Sequence, residues 1–312
     1  MKLSNKGFPL KHISDACNEA VDCISSGLKN EQDFLKTRWP KIKKNTLGSF
    51  RFGYSYLLVG PSGHGKSYLL NLMLQDFCSS LNDKFQKHFV ILCFSFEMSA
   101  MDEVLRMTTS TTSIHYDNLL GVNEKLEKAE LKNIDHCFDQ LRELPIYFCE
   151  VSLSIKQMEQ SIEYVKAQFP KSELIVTVDH GLLVNQASER DEIELLANLG
   201  KRSIHWKKQF NCMVIILGQA NTEIENWRRH ENPNHHFPVK KDIHGSKQIY
   251  QAMDCVYFIL APEMLGITEY GKDFWPSENL LAWHILKQRK GSVGIVRLKT
   301  NWSIGQVTQW KD

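Results

Sequence analysis

The run Gly60-Pro-Ser62-Gly63-His64-Gly65-Lys66-Ser67 constrains the chain more than any other feature. It has the form G-x-x-x-x-G-K-[S/T] and lies between an apolar segment, residues 54–60, and a helical pattern over 68–81. That placement suits a phosphate-binding loop. Glycines let backbone N–H groups turn inward around phosphate oxygens, and the helix that follows offers its positive end. Lys66 would then reach the β/γ-phosphates and Ser67 would hold Mg²⁺, so ATP and Mg²⁺ are the expected cofactors. A glycine turn with no ligand is the bland alternative.

The surroundings favour the loop. Apolar segments at 54–60, 88–95, 145–149, 174–179 and 212–218 alternate with helical patterns at 68–81, 125–144, 156–168 and 191–210. Continuous apolar strands between amphipathic helices predict a mostly parallel sheet covered on both faces. Segments 254–260, 280–286 and 292–300 lack long helices between them, which predicts an antiparallel extension at the C-terminal end. Ahead of this domain, taken as 46–312, residues 1–45 read as an amphipathic helix over 10–28 and a basic connector over 29–45. The helix carries Ile13, Cys17, Ala20, Val21 and Ile24 at spacings of three and four.

Composition narrows the class further. With 42% hydrophobic and 24% charged residues and no apolar run long enough to span a bilayer, a membrane protein is not expected. The N-terminus has no secretory apolar core, so a cytoplasmic location is expected. Eight cysteines without a C-x-x-C pair read as reduced core residues rather than zinc ligands or disulfides. A net charge of +2 means that any nucleic-acid contact must come from a local surface. Residues 223–244 read as a long polar loop in which His230, His235 and His236 are solvated. Trp227, beside Arg228 and Arg229, is a candidate for stacking on bases, whereas Trp206 reads as core.

Two carboxylates complete the expected chemistry. Leu174-Ile-Val-Thr-Val-Asp179 is an apolar strand ending in an acid, which would place Asp179 beside the phosphate loop to coordinate Mg²⁺. In Phe94-Ser-Phe-Glu97-Met-Ser99, Glu97 falls at the same edge of the sheet. It could orient an attacking water or simply cap a helix start.

Here the sequence resembles the DnaB family of replicative helicases, whose second motif reads F-S-L-E-M-S. The resemblance implies that Glu97 activates the hydrolytic water. Val178-Asp179-His180-Gly-Leu-Leu-Val resembles the family's I-D-Y-L-Q-L-I, with His180 in place of Tyr. Val214-Ile-Ile-Leu-Gly-Gln219-Ala-Asn221 resembles a strand ending in L-S-Q-L-N, which implies that Gln219 senses the γ-phosphate and relays nucleotide state to DNA loops. A strand-end glutamine satisfied by neighbours is the other reading. Residues 242–254 resemble D-L-R-E-S-G-x-I-E-Q-D-A-D, a loop that grips the DNA backbone in that family. This implies DNA contact by His244, Gly245, Ser246 and Lys247, with Lys241 and Lys240 adding charge, against an ordinary turn. Lys287-Gln-Arg289-Lys-Gly resembles K-N-R-N-G, in which a lysine and an arginine finger reach the adjacent subunit's nucleotide. An exposed basic edge is the alternative.

The resemblance implies an α/β, RecA-like P-loop fold and an ATP-driven 5′→3′ helicase working as a homo-oligomeric ring, a hexamer, on single-stranded DNA. It also implies that the first helix docks on the next subunit. A loader or primase is a further partner, although 312 residues leave no room for the family's N-terminal collar. The competing class is a RecA-like DNA-binding ATPase that does not unwind: a recombinase-type filament, a loader or a regulator.

Overall fold

The computed structural model describes residues 11–28, 34–46, 50–80, 88–122 and 125–311. Leu10, residues 29–33 of the expected connector and the expected helix end at Leu81 lie outside them. The chain divides into Met1–Phe34 and Leu35–Asp312. In the first unit the expected helix is present as α1 (Ile13–Leu28), with Ile13, Val21, Ile24 and Leu28 exposed.

The second unit is built on nine strands. Six of them, β1 (Ser55–Gly60), β2 (Phe89–Ser95), β3 (Ile146–Cys149), β4 (Glu173–Asp179), β5 (Met213–Gln219) and β6 (Cys255–Leu260), run parallel in the order β3-β2-β4-β5-β1-β6. Antiparallel strands β7 (Leu280–Gln288), β8 (Gly294–Asn301) and β9 (Gln306–Gln309) continue the sheet beyond β6. Side chains alternate between faces along a strand. In β1, Tyr56 and Leu58 enter one apolar core while Leu57 and Val59 enter the other. The expected mostly parallel sheet with an antiparallel extension is therefore present. Trp39 and Ile42, within the expected connector, are buried in this unit, and the Trp39 indole donates to the Val307 carbonyl at 3.0 Å.

Helices α2 (Lys66–Ser79), α3 (Ala100–Thr112), α4 (Lys128–Arg142), α5 (Ile155–Gln168) and α6 (Glu192–Gln209) cover the sheet, and a short α7 (Ser246–Ala252) precedes β6. Local chemistry starts several of them. Ser99, Ser154 and Asp191 each accept from a backbone N–H three residues on. Helix α3 was not legible in the pattern, because the threonine-rich 108–112 stretch has poor helix propensity. There Thr108, Thr111 and Thr112 donate to carbonyls four residues back.

Two buried histidines set an acid response. His284 touches the Tyr270 hydroxyl at 2.8 Å, and burial pushes its pKa down to about 3. Burial, then the Lys66 charge, pushes His64 down to about 4. Both folded values lie below the unfolded value near ~6.5. Their stabilising contribution is thus fully present above that pH and is lost as pH falls toward 4 and then 3. Urea unfolding between pH 7 and 4 should show stability falling by roughly 1 kcal/mol per pH unit for each histidine. His284→Leu should flatten that slope, and an unchanged slope would show that His284 does not contribute.

Candidate active site

The phosphate loop leaves β1 between β5 and β6, at the carboxyl edge of the parallel strands, where such sheets bind ligands. Strand packing demands glycine at position 60, since a Cβ there would lie 2.3 Å from the Ile259 carbonyl oxygen. Gly65 opens α2 with φ +83°, and a Cβ on it would strike the Trp302 ring at 2.4 Å. His64 is buried, and its Nδ1 accepts from the Ala261 N–H at 3.0 Å, which anchors the loop to the end of β6. Ser62 and Gly63 form the exposed rim. Lys66 Nζ donates to the Gly60 and Pro61 carbonyls at 2.9 and 2.7 Å, so the ammonium is held back across its own loop. Burial lowers its pKa, against opposing pulls from Asp179 and Glu97.

Asp179 ends β4 in register with Ser95 of β2, and the Phe96 N–H donates to its carbonyl at 2.8 Å. The Asp179 residue is only 6% exposed and its Oδ1 has no hydrogen-bond partner. Burial raises its pKa to about 6, with a hydrogen bond from Ser67 pulling the other way. A hydroxyl and a carboxylate with one unsatisfied buried oxygen are the hard donors that Mg²⁺ prefers. Ser67 and Asp179 therefore fit the expected ion.

The half-exposed Glu97 carboxylate lies 3.8 Å from His180 Nε2, and the Gln219 amide lies 3.3 Å from the same nitrogen. His180 Nδ1 accepts from the Leu182 N–H at 3.3 Å. Burial lowers the His180 pKa, and its Nε2 stands between the Glu97 carboxylate and the Gln219 amide. Sequence reasoning noted His180 only as a replacement, and missed that it joins the two.

Strand β5 also leads directly to the expected DNA segment. The Gln219 carbonyl accepts from the His244 N–H at 3.0 Å, and the Asn221 N–H donates to the Asp242 carbonyl at 2.7 Å. The Asn221 side chain donates to the carbonyls of Lys241 and Ile243 at 2.6 and 3.3 Å. Lys241 and Lys247 are exposed, and His244 lies 3.2 Å from Glu192. Gly245 packs on Leu196, and Ser246 opens α7.

Residues 223–244 are not the loose solvated loop expected. Four short helical turns lie across 222–242, pinned by a bidentate Arg229–Asp242 pair at 2.7 and 2.8 Å whose carboxylate is fully buried. His236 is buried, with Nε2 on the His230 carbonyl at 2.7 Å and Nδ1 accepting from the Gly271 N–H at 3.0 Å. The polar composition hid this because its polar groups are satisfied internally. Trp227 is exposed with Arg228 over its ring, and Trp206 is core as expected.

Lys287 and Arg289 lie away from this cluster. Lys287 Nζ donates to the carbonyls of Tyr250, Gln251 and Met253 at 2.8, 3.2 and 2.6 Å, capping α7. Arg289, 56% exposed, meets Asp254 at 3.1 Å. Asp254 also accepts from the Ser55 N–H at 2.8 Å and from buried Lys207. Ser55 begins β1 and Gly60 ends it, five residues later, so Arg289 sits on the order of 16 Å from its own phosphate loop.

Residues 35–309 match the family described as DnaB-like helicase C terminal domain. The chain belongs to this family. Among solved structures it is similar to the "ATPase Domain of G40P", with TM-score 0.78 and 16% identity over 94% of this chain and 98% of that one. It is also similar to a DnaB-like replicative helicase solved in "The Structure Of A DnaB-Like Replicative Helicase And Its Interactions With Primase". That match has TM-score 0.79 and 17% identity over 97% of this chain and 68% of that one. No curated protein sequence matches it. The RecA-like helicase fold is thus established, and as a DnaB-like domain the chain is an ATP-binding helicase domain. Among the described residues no helix is long and apolar enough to cross a membrane. Trp302 is a further residue at this DnaB-like site that the sequence did not flag. It packs on Gly65 and edge-on against Tyr68, whose hydroxyl donates to the Gly305 carbonyl at 2.9 Å. Only the fold brings the C-terminal extension onto the phosphate loop.

Proposed function

We propose that this DnaB-like domain hydrolyses ATP to drive translocation on single-stranded DNA, as a ring of six copies moving 5′→3′. The backbone bridge from Gln219 and Asn221 to residues 241–244 carries this reading, because a shift of β5's end at the nucleotide must move that segment. In it, Lys66 and the loop amides hold the phosphates, and Ser67 and Asp179 hold Mg²⁺. Glu97 orients water, with His180 fixing its position relative to Gln219. Lys241, His244, Gly245, Ser246 and Lys247 form the DNA contact. Arg289 acts on a neighbouring copy's nucleotide, a role supported by its exposure and its distance from its own loop. Lys287 would join it only by leaving the carbonyls of α7, which would couple finger engagement to the helix behind the DNA segment. The exposed apolar residues of α1 support docking on a neighbouring copy, and a loader or primase is the proposed partner for assembly.

Gln219→Ala tests the bridge. It should retain ATP binding yet lose stimulation of hydrolysis by single-stranded DNA, and full stimulation would defeat the relay. Lys241→Ala should weaken binding evenly across sequences and lower the salt slope of DNA affinity by about one. A slope unchanged in a fluorescence-anisotropy titration would remove Lys241 from the interface. Trp302 is placed to border the nucleotide, so ADP should change its emission. The wild-type minus Trp302→Phe difference signal reads this directly, and no ADP response would place the base elsewhere.

A further inference from the structure

A buried carboxylate that the reading above leaves unused sits between α2 and α3. Glu103 is only 7% exposed. Asn71 Nδ2 donates to its Oε2 at 2.7 Å and to its backbone carbonyl at 3.1 Å. Gln75 Nε2 extends the contact to Asn71 Oδ1 and to Ser110, both at 2.9 Å. Glu103, Asn71, Ser67, Ser95, Thr177 and Asp179 all line one small cavity.

An interhelical hydrogen bond does not explain a charge here. A neutral amide would also accept from Asn71 at a smaller desolvation cost, and an apolar pair would avoid that cost altogether. The cation beside it, Arg106, stands 3.4 Å away and is partly solvated. Burial raises the Glu103 carboxyl, with the Asn71 hydrogen bond and Arg106 opposing. Glu103 and Asp179 are both buried and line one small cavity, which gathers negative charge that a divalent cation would neutralise for both. Asp179, whose buried Oδ1 has no partner, lines the same cavity.

We propose that Glu103 is a positioning residue for the magnesium ion, supplying a second buried negative charge behind Ser67 and Asp179 against which the ion binds. The inference rests on reading Ser67 and Asp179 as the Mg²⁺ ligands. It also links the metal to α3, whose first residue follows the Glu97 segment, so metal occupancy would steady the base as well as the phosphates.

The test is calorimetric ADP binding to the full chain over a Mg²⁺ series and in EDTA, with Mn²⁺ paramagnetic resonance on the ADP complex. Glu103→Gln keeps an acceptor for Asn71. It should need at least about tenfold more Mg²⁺ for half-maximal binding and hold Mn²⁺ correspondingly less tightly. ADP affinity in EDTA should stay within about twofold, a separation that loss of packing alone would not produce. The double variant Asn71→Leu/Glu103→Leu restores an apolar contact and should show the same metal loss. It decides the matter if Glu103→Gln fails to fold. A wild-type Mg²⁺ requirement in either folded variant overturns the proposal. Wild-type ADP binding indifferent to Mg²⁺ would instead overturn the Ser67 and Asp179 assignment, and the role of Glu103 with it.

Discussion

Glu97→Gln should slow ATP hydrolysis by roughly 10²–10⁴-fold while leaving nucleotide binding and assembly intact. The substitution keeps the size and the contact toward His180, 3.8 Å away, but removes the carboxylate that would take up a proton from water. Glu97 lies between β2 and α3 near the end of β4, and its side chain is half-exposed, as the proposed role in orienting water requires. Measured single-turnover rates, with ADP affinity as the control, separate chemistry from binding. Wild-type turnover would move the base to another group and leave Glu97 as a helix-start residue. His180→Ala should then be compared, since loss of the ring would free Glu97 and Gln219 from each other.

Arg289→Ala should depress activity about 10³-fold or more, the scale of an arginine finger. The decisive format is mixing. Its guanidinium rests on Asp254, near the start of β1, so in the proposed role it would serve a nucleotide only across an interface. Variant copies mixed with wild type should therefore poison neighbouring sites and lower activity by more than dilution. A strictly proportional loss would make Arg289 a partner of Asp254 alone. Any damage to folding is read separately by thermal unfolding, because leaving Asp254 one cation fewer still keeps its buried contact with Lys207.

Much of this was written in local sequence. The phosphate loop, the strand ending at Asp179, the segment with Glu97 and the alternation of strands and helices each depend on neighbours within about ten residues. What sequence could not show depends on distant parts meeting. Trp302 is 237 positions beyond Gly65, and Glu103 meets Asn71 only because α3 lies on α2. Polar composition also misled. Residues 223–244 looked solvated, yet Asp242 and His236 are buried with partners, and the three-residue periodicity of short helical turns leaves little pattern. Lys287 and Arg289 share one segment, but the fold gives one to α7 and the other to Asp254.

The most direct test of a ring motor on DNA is the ATPase rate with and without single-stranded DNA, taken with the solution mass in a non-hydrolysable ATP analogue. Strong stimulation together with a six-subunit mass is the expected result. A monomer whose hydrolysis ignores single strands would contradict it, leaving the nucleotide site in place without the motor built on it.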